Sequence, residues 1–112
     1  MKLHLLSDLH LEFADFTPQC AQADVIVLAG DIHIGVKALA WLDQFKLPQP
    51  IIYVLGNHEY YKHTYPKLLR ALKAQAPANL HILENETLEL DGLVFHGATL
   101  WTDFELLGNA RL

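Results

Sequence analysis

Apolar positions along the chain fall into short runs separated by polar, Gly- and Pro-containing stretches. Residues 2–7 (KLHLLS) predict a first strand, residues 24–29 (DVIVLA) a second and residues 51–55 (IIYVL) a third. The last two are nearly continuous apolar runs, the pattern of strands buried on both faces of a sheet. Between them Val36, Leu39, Ala40 and Leu42 recur at helical spacing. Residues 36–46 (VKALAWLDQFK) therefore predict a helix that stops before Pro48.

A second helix is expected from Thr64 as N-cap, with Pro66 in its first turn, through KLLRALKAQA to Pro77. The stretch NETLELDGLVFHG then predicts two short strands around Asp91-Gly92, a strong hairpin signal. The order β-α-β-α followed by a hairpin indicates an α/β layered sandwich, with a largely parallel sheet flanked by helices. No repeat, low-complexity stretch or linker divides it, so residues 1–112 read as a single domain unit.

Composition narrows the partners. With 52% hydrophobic and 19% charged residues, the chain is that of a folded globular protein. A net charge of -5 argues against a general nucleic-acid binder and against an anionic membrane surface. It leaves an anionic substrate open, because a bound metal ion reverses the local field. Cys20 is the only cysteine, which precludes an internal disulfide and fits a reducing compartment. The opening MKLHLL is too short for a signal-peptide core, and no apolar run approaches transmembrane length. A cytoplasmic location is expected.

Three strand ends share a feature. The first runs into SDLH, with Asp8 and His10; the second into AGDIH, with Asp31; the third into LGNHE, with Asn57, His58 and Glu59. In open α/β sheets, ligands bind beyond the carboxyl ends of the strands, so parallel strands deliver these groups to one edge. Carboxylates, imidazoles and an amide oxygen suit hard or borderline divalent metals. Asp31 is the natural bridge, since a carboxylate can give one oxygen to each of two ions. Gly30 and Gly56 let the backbone turn sharply at the strand ends.

SDLH, GDIH and GNHE together resemble the first three signature blocks of the calcineurin-like metallophosphoesterases. The later GATLWTDF, residues 97–104, resembles a bacterial branch of that family. The resemblance implies an incomplete N-terminal portion of the four-layer αββα metallophosphoesterase fold. It implies two divalent ions (manganese, iron, zinc or magnesium) and a phosphomonoester or phosphodiester substrate. Asp8 and His10 would bind the first ion, Asp31 would bridge, and Asn57 would bind the second. His58 would not be a ligand. It would face the leaving oxygen as an electrostatic stabiliser or general acid, while a metal-bound hydroxide attacks phosphorus. Glu59 is expected behind the ligands or in solvent.

The family's remaining ligands, a lone histidine and a GHxH block, are missing from these 112 residues. His96 is the one positional candidate for the lone histidine, but it precedes GATLW, whereas the ligand in this branch follows it. Two classes of function therefore stand: a binuclear phosphohydrolase, or a non-catalytic fragment or oligomerising module. A half-domain of this kind would expose a sheet edge, so self-association through the C-terminal part is expected.

Blander roles suit other residues. His33 reads as a surface or helix-start histidine, and His4, His63 and His81 carry no pattern. Lys67, Arg70 and Lys73 read as a solvated helix face and Trp41 as core. Trp101 and Asp103 are evenly divided between pocket lining and structure.

Overall fold

Four parallel strands pair in chain order to form one sheet: β1 (Leu3–Leu6), β2 (Val25–Ala29), β3 (Ile51–Val54) and β4 (Leu80–Ile82). Helix α1 (Lys37–Asp43) joins β2 to β3, and α2 (Tyr65–Gln75) joins β3 to β4. A separate antiparallel ribbon, β5 (Glu86–Leu90) and β6 (Leu93–Gly97), follows. The structure is a computed structural model, and it describes residues 1–20 and 22–101.

Period-two alternation divides the core in two. Ile26 and Leu28 of β2, Ile51 and Tyr53 of β3, and Leu80 and Ile82 of β4 pack in one cluster with Ala38, Trp41, Leu42, Leu68 and Leu72 of the helices. The opposite face carries Val25 and Ile52, with Val27 and Val54 beside them, under Leu88, Leu90 and Phe95 of the hairpin. The order of layers is helices, sheet, hairpin, which accords with an incomplete metallophosphoesterase sandwich. Leu3 and Leu5 of the β1 edge pair with Val25 and Val27 and so share the hairpin face. The hairpin does not reach them, and they remain 51% and 66% exposed.

The three expected parallel strands and both helices are present, each trimmed at its ends. Helix α1 stops at Asp43, short of 46, where Lys46 turns into the left-handed region at φ 47°. Thr64 occupies the N-cap position of α2 with extended backbone, but its hydroxyl makes no capping bond. Asp91 and Gly92 take φ of 52° and 82°, the paired positive values that a two-residue hairpin turn requires. Strand β4 was not foreseen. It has three residues, LHI, too few for a period to register.

Trp41 is buried, and its indole N–H donates to the Phe16 carbonyl at 2.9 Å. Among the described residues, no helix is long and apolar enough to cross a membrane.

Candidate metal centre

The chain does not stop pairing where the strands end. Asp8 N–H donates to the Gly30 carbonyl at 3.0 Å, His10 N–H to Asp31 at 3.0 Å and Leu11 N–H to Ile32 at 2.9 Å. The two loops therefore run side by side past the sheet. Asp8, His10 and Asp31 each adopt a left-handed backbone, with φ of 55°, 48° and 54°. That region is disfavoured for residues with a Cβ, and such conformations gather at functional sites. Here they turn three side chains that can offer metal-ligand atoms toward one point.

Ligating atoms of Asp8, His10 and Asp31 all lie within 4.8 Å of one another. His10 Nε2 stands 3.6 Å from Asp8 Oδ1 and 4.0 Å from Asp31 Oδ2. The other Asp31 oxygen, Oδ1, accepts the His58 backbone N–H at 2.9 Å, which fixes the carboxylate's rotation. Asn57 is exposed and lines an open cleft of about 470 Å³ together with Asp8, Gly30, Asp31, Gly56 and Thr99. The Ser7 hydroxyl donates to Asp8 Oδ2 and is the main cause holding that carboxyl below its usual pKa. Two carboxylates and an amide lining one cleft, with the His10 imidazole beside both carboxylates, fit divalent-ion chemistry.

A second cluster shares His10. Its Nδ1 lies 3.2 Å from Glu12 Oε1, and the same oxygen lies 3.1 Å from His58 Nδ1. The two imidazoles meet edge to face with ring centres 4.6 Å apart. The hydrogen bond to Glu12 raises the His58 pKa above 6.5. Burial raises the Glu12 carboxyl, but hydrogen bonds from its own backbone, His58 and His10 outweigh it and leave the pKa lowered. Glu12 was not among the residues singled out in the sequence. The available signal was an acidic residue two places after His10, which alone does not reveal a partner 46 residues further on.

Glu59 is fully buried and faces away from the cleft. Its Oε1 accepts N–H groups of Asp31 at 3.0 Å and Gly56 at 2.8 Å. Its Oε2 accepts Ile32 N–H at 2.8 Å and the Tyr53 hydroxyl at 2.7 Å. One carboxylate thus ties the turn after β2 to the turn after β3. Burial, with the Glu59 charge adding to it, pushes the Tyr53 phenol well above its usual pKa, so Tyr53 stays a donor.

Other candidates lie outside the cluster. His33 Nδ1 accepts the Ile34 N–H at 2.8 Å, and burial lowers the His33 pKa. His96 borders the cleft from β6, yet its Nδ1 pairs with the Thr87 hydroxyl at 3.0 Å and it joins neither ligand cluster. Lys67, Arg70 and Lys73 are exposed on α2, where Lys73 pairs with Glu86. In the GATLWTDF segment, the Thr99 hydroxyl donates to the Leu55 carbonyl at 2.6 Å. Trp101 is 56% exposed, its ring 5.6 Å from that of Tyr60. Asp103 lies outside the described residues. A larger cavity, about 630 Å³, opens at the far end of the sheet against Leu39, Leu42, Leu47, Pro77 and Leu80. It holds neither ligand cluster.

A model of the calcineurin-like phosphoesterase superfamily domain matches residues 1–108. The chain belongs to this superfamily. The members of that superfamily are, by its description, phosphoesterases. An uncharacterized protein of Acanthamoeba polyphaga mimivirus is 31% identical, over 90% of this chain and 44% of the relative. The chain therefore spans less than half the length of that relative. No solved structure matches it.

Proposed function

We propose that the chain carries the N-terminal part of a binuclear phosphohydrolase site acting on a phosphomonoester or phosphodiester. The observation that carries this reading is the convergence of Asp8, His10 and Asp31, all in left-handed backbone, within 4.8 Å at the ends of two parallel strands. Asp8 and His10 are assigned to one ion, Asp31 to both, and the Asn57 side-chain oxygen to the second. Bound ions would supply Lewis-acid polarisation of the phosphoryl group and a water acidified toward neutral pH.

The chain's own residues orient and donate. Asp31 is held by the His58 N–H through Oδ1 and keeps Oδ2 toward His10. His58, its side chain 41% exposed, is assigned to the leaving oxygen as stabiliser or proton donor. In the metal-free chain the hydrogen bond to Glu12 raises the His58 pKa, which favours the protonated form. A single buried cysteine is consistent with a reducing, cytoplasmic setting.

Titration calorimetry with manganese(II), beside hydrolysis of p-nitrophenyl phosphate and its diester, tests the reading. Asp31→Asn should abolish metal binding and leave the folded signal near that of the wild type. Undiminished binding by Asp31→Asn would sink the bridging assignment.

A second reading, self-association, is favoured by apolar side chains left exposed on the hairpin. Leu93 and Val94 of β6 are 45% and 53% exposed. Light scattering at high concentration tests it: a monodisperse monomer rules it out.

A further inference from the structure

We propose that Glu12 is a positioning residue, one carboxylate oxygen of which orients both His10 and His58. The inference rests on the metal reading of His10 given above, and it adds a group that the motif blocks do not contain. Oε1 lies 3.2 Å from His10 Nδ1 and 3.1 Å from His58 Nδ1, close enough to accept an N–H from each. With both Nδ1 atoms bound to Glu12, each ring has only Nε2 left to offer. For His10 that nitrogen is the one facing Asp8 and Asp31.

A ligating imidazole is commonly held this way, its second nitrogen on a carboxylate that sets the tautomer and the ring plane. Here one carboxylate serves two rings set edge to face, so the ligand position and the His58 position are fixed against each other.

Glu12 is itself well anchored. Its side chain is only 11% exposed, and the preceding residue, Leu11, is buried and bonded through its N–H to the Ile32 carbonyl. Among the described residues, Oε2 is buried without a partner. Shielding from water strengthens the two imidazole bonds and restricts the rotations that would break them. A purely structural Glu12 would tie the loop after β1 to the turn at His58 without setting either tautomer. The two roles separate experimentally.

The test uses the 112-residue chain and its Glu12→Ala and Glu12→Gln variants. Manganese(II) affinity is measured by calorimetry, and imidazole nitrogen shifts of the metal-free chain are measured by NMR, above the pH at which His58 is charged. In the wild type both rings should carry their proton on Nδ1. Glu12→Ala should move both toward the Nε2–H tautomer and weaken manganese binding about 10- to 100-fold. Glu12→Gln, which keeps the shape and replaces charge-assisted bonds by neutral ones, should give a smaller change in the same direction. It decides the matter if the alanine variant does not fold.

Unchanged tautomers in the folded variants overturn the proposal even where affinity falls, since a loosened loop alone would lower affinity. Unchanged affinity in a chain that binds manganese also overturns it, and leaves the metal reading intact. If the wild type binds no manganese, the metal reading fails separately. The nitrogen shifts then decide whether Glu12 orients the two rings.

Discussion

Gly56 lies so close to Asp31 that a Cβ placed on it would sit 2.2 Å from Asp31 Oδ1 and 2.6 Å from its backbone nitrogen. The same Asp31 oxygen accepts the His58 N–H, so the space that Gly56 vacates is filled by the carboxylate assigned as the bridge. Gly30 faces Gly56 from the other loop, where its own Cβ would meet Gly56 Cα at 3.0 Å. The two glycines let the turns after β2 and β3 touch. That contact brings Asp31 to Asn57 and His58.

Gly56→Ala should therefore damage the site more than the fold. A methyl group forced into the turn costs about 1–3 kcal/mol by overpacking, and the most movable atoms in its way belong to the Asp31 carboxylate. The expected result is a chain that still folds, with a lowered denaturation midpoint and manganese binding reduced at least about tenfold. Metal affinity equal to that of the wild type would show that Asp31 does not need this placement.

Glu59 gives the opposite pattern. Its carboxylate accepts four donors in a site without solvent access. Glu59→Ala leaves three backbone N–H groups and a phenol without their acceptor, each unmet buried donor costing about 1–3 kcal/mol. The expected loss is at least about 3 kcal/mol in urea denaturation, with activity falling only as the folded fraction falls. Glu59→Gln keeps one oxygen but turns an NH₂ toward backbone donors, so it should be destabilising as well. A Glu59→Gln chain of wild-type stability would contradict this account.

Much of this arrangement was legible because it rests on local pattern. Unbroken apolar runs marked β2 and β3, and Asp91-Gly92 marked the hairpin, since each signal follows from a short-range physical requirement. Grouping Asp8, His10 and Asp31 also followed from strand ends and parallel pairing. Glu12 did not, because its role depends on the loop after β1 folding back against the turn at His58. Strand β4 was hidden by its shortness, and its place in the sheet is fixed by pairing with β3, not by its own sequence. For Glu59, the sequence allowed a place behind the ligands or in solvent, and only burial distinguishes these.

The His58–Glu12 pair predicts a pH dependence in the metal-free chain. Hydrogen bonding to Glu12 raises the His58 pKa, so its stabilising contribution is fully present below about 6.5 and is lost as pH rises through the folded value. The Glu12 carboxyl is lowered, so its contribution is present above about 4.5 and is lost as pH falls through its folded value. Stability from this pair should thus be greatest between the two folded values. An NMR titration should place His58 above an unperturbed histidine, and Glu12→Gln should bring it down. If His58 titrates at the same pH in both chains, the cause assigned here is wrong.

Asp8 allows a test of backbone strain apart from chemistry. Its φ of 55° lies in the left-handed region, where a Cβ clashes with the following carbonyl at a cost of roughly 1–2 kcal/mol, relieved in part for aspartate by local hydrogen bonding. Glycine reaches this region freely but gives up more chain entropy on folding, about 0.5–1 kcal/mol relative to alanine. Asp8→Gly and Asp8→Ala both lose the carboxylate and its bond to Ser7, so those losses cancel in the comparison. What remains is the strain of the alanine Cβ against the entropy of glycine. The usual order, in which alanine is the more stable, should reverse by up to about 1 kcal/mol in favour of Asp8→Gly. Both variants should lose manganese affinity alike, because neither has an oxygen to offer. Urea denaturation of the two metal-free chains reads the difference directly, and an alanine variant more stable than the glycine one would mean that the turn at Asp8 relaxes once the carboxylate is gone.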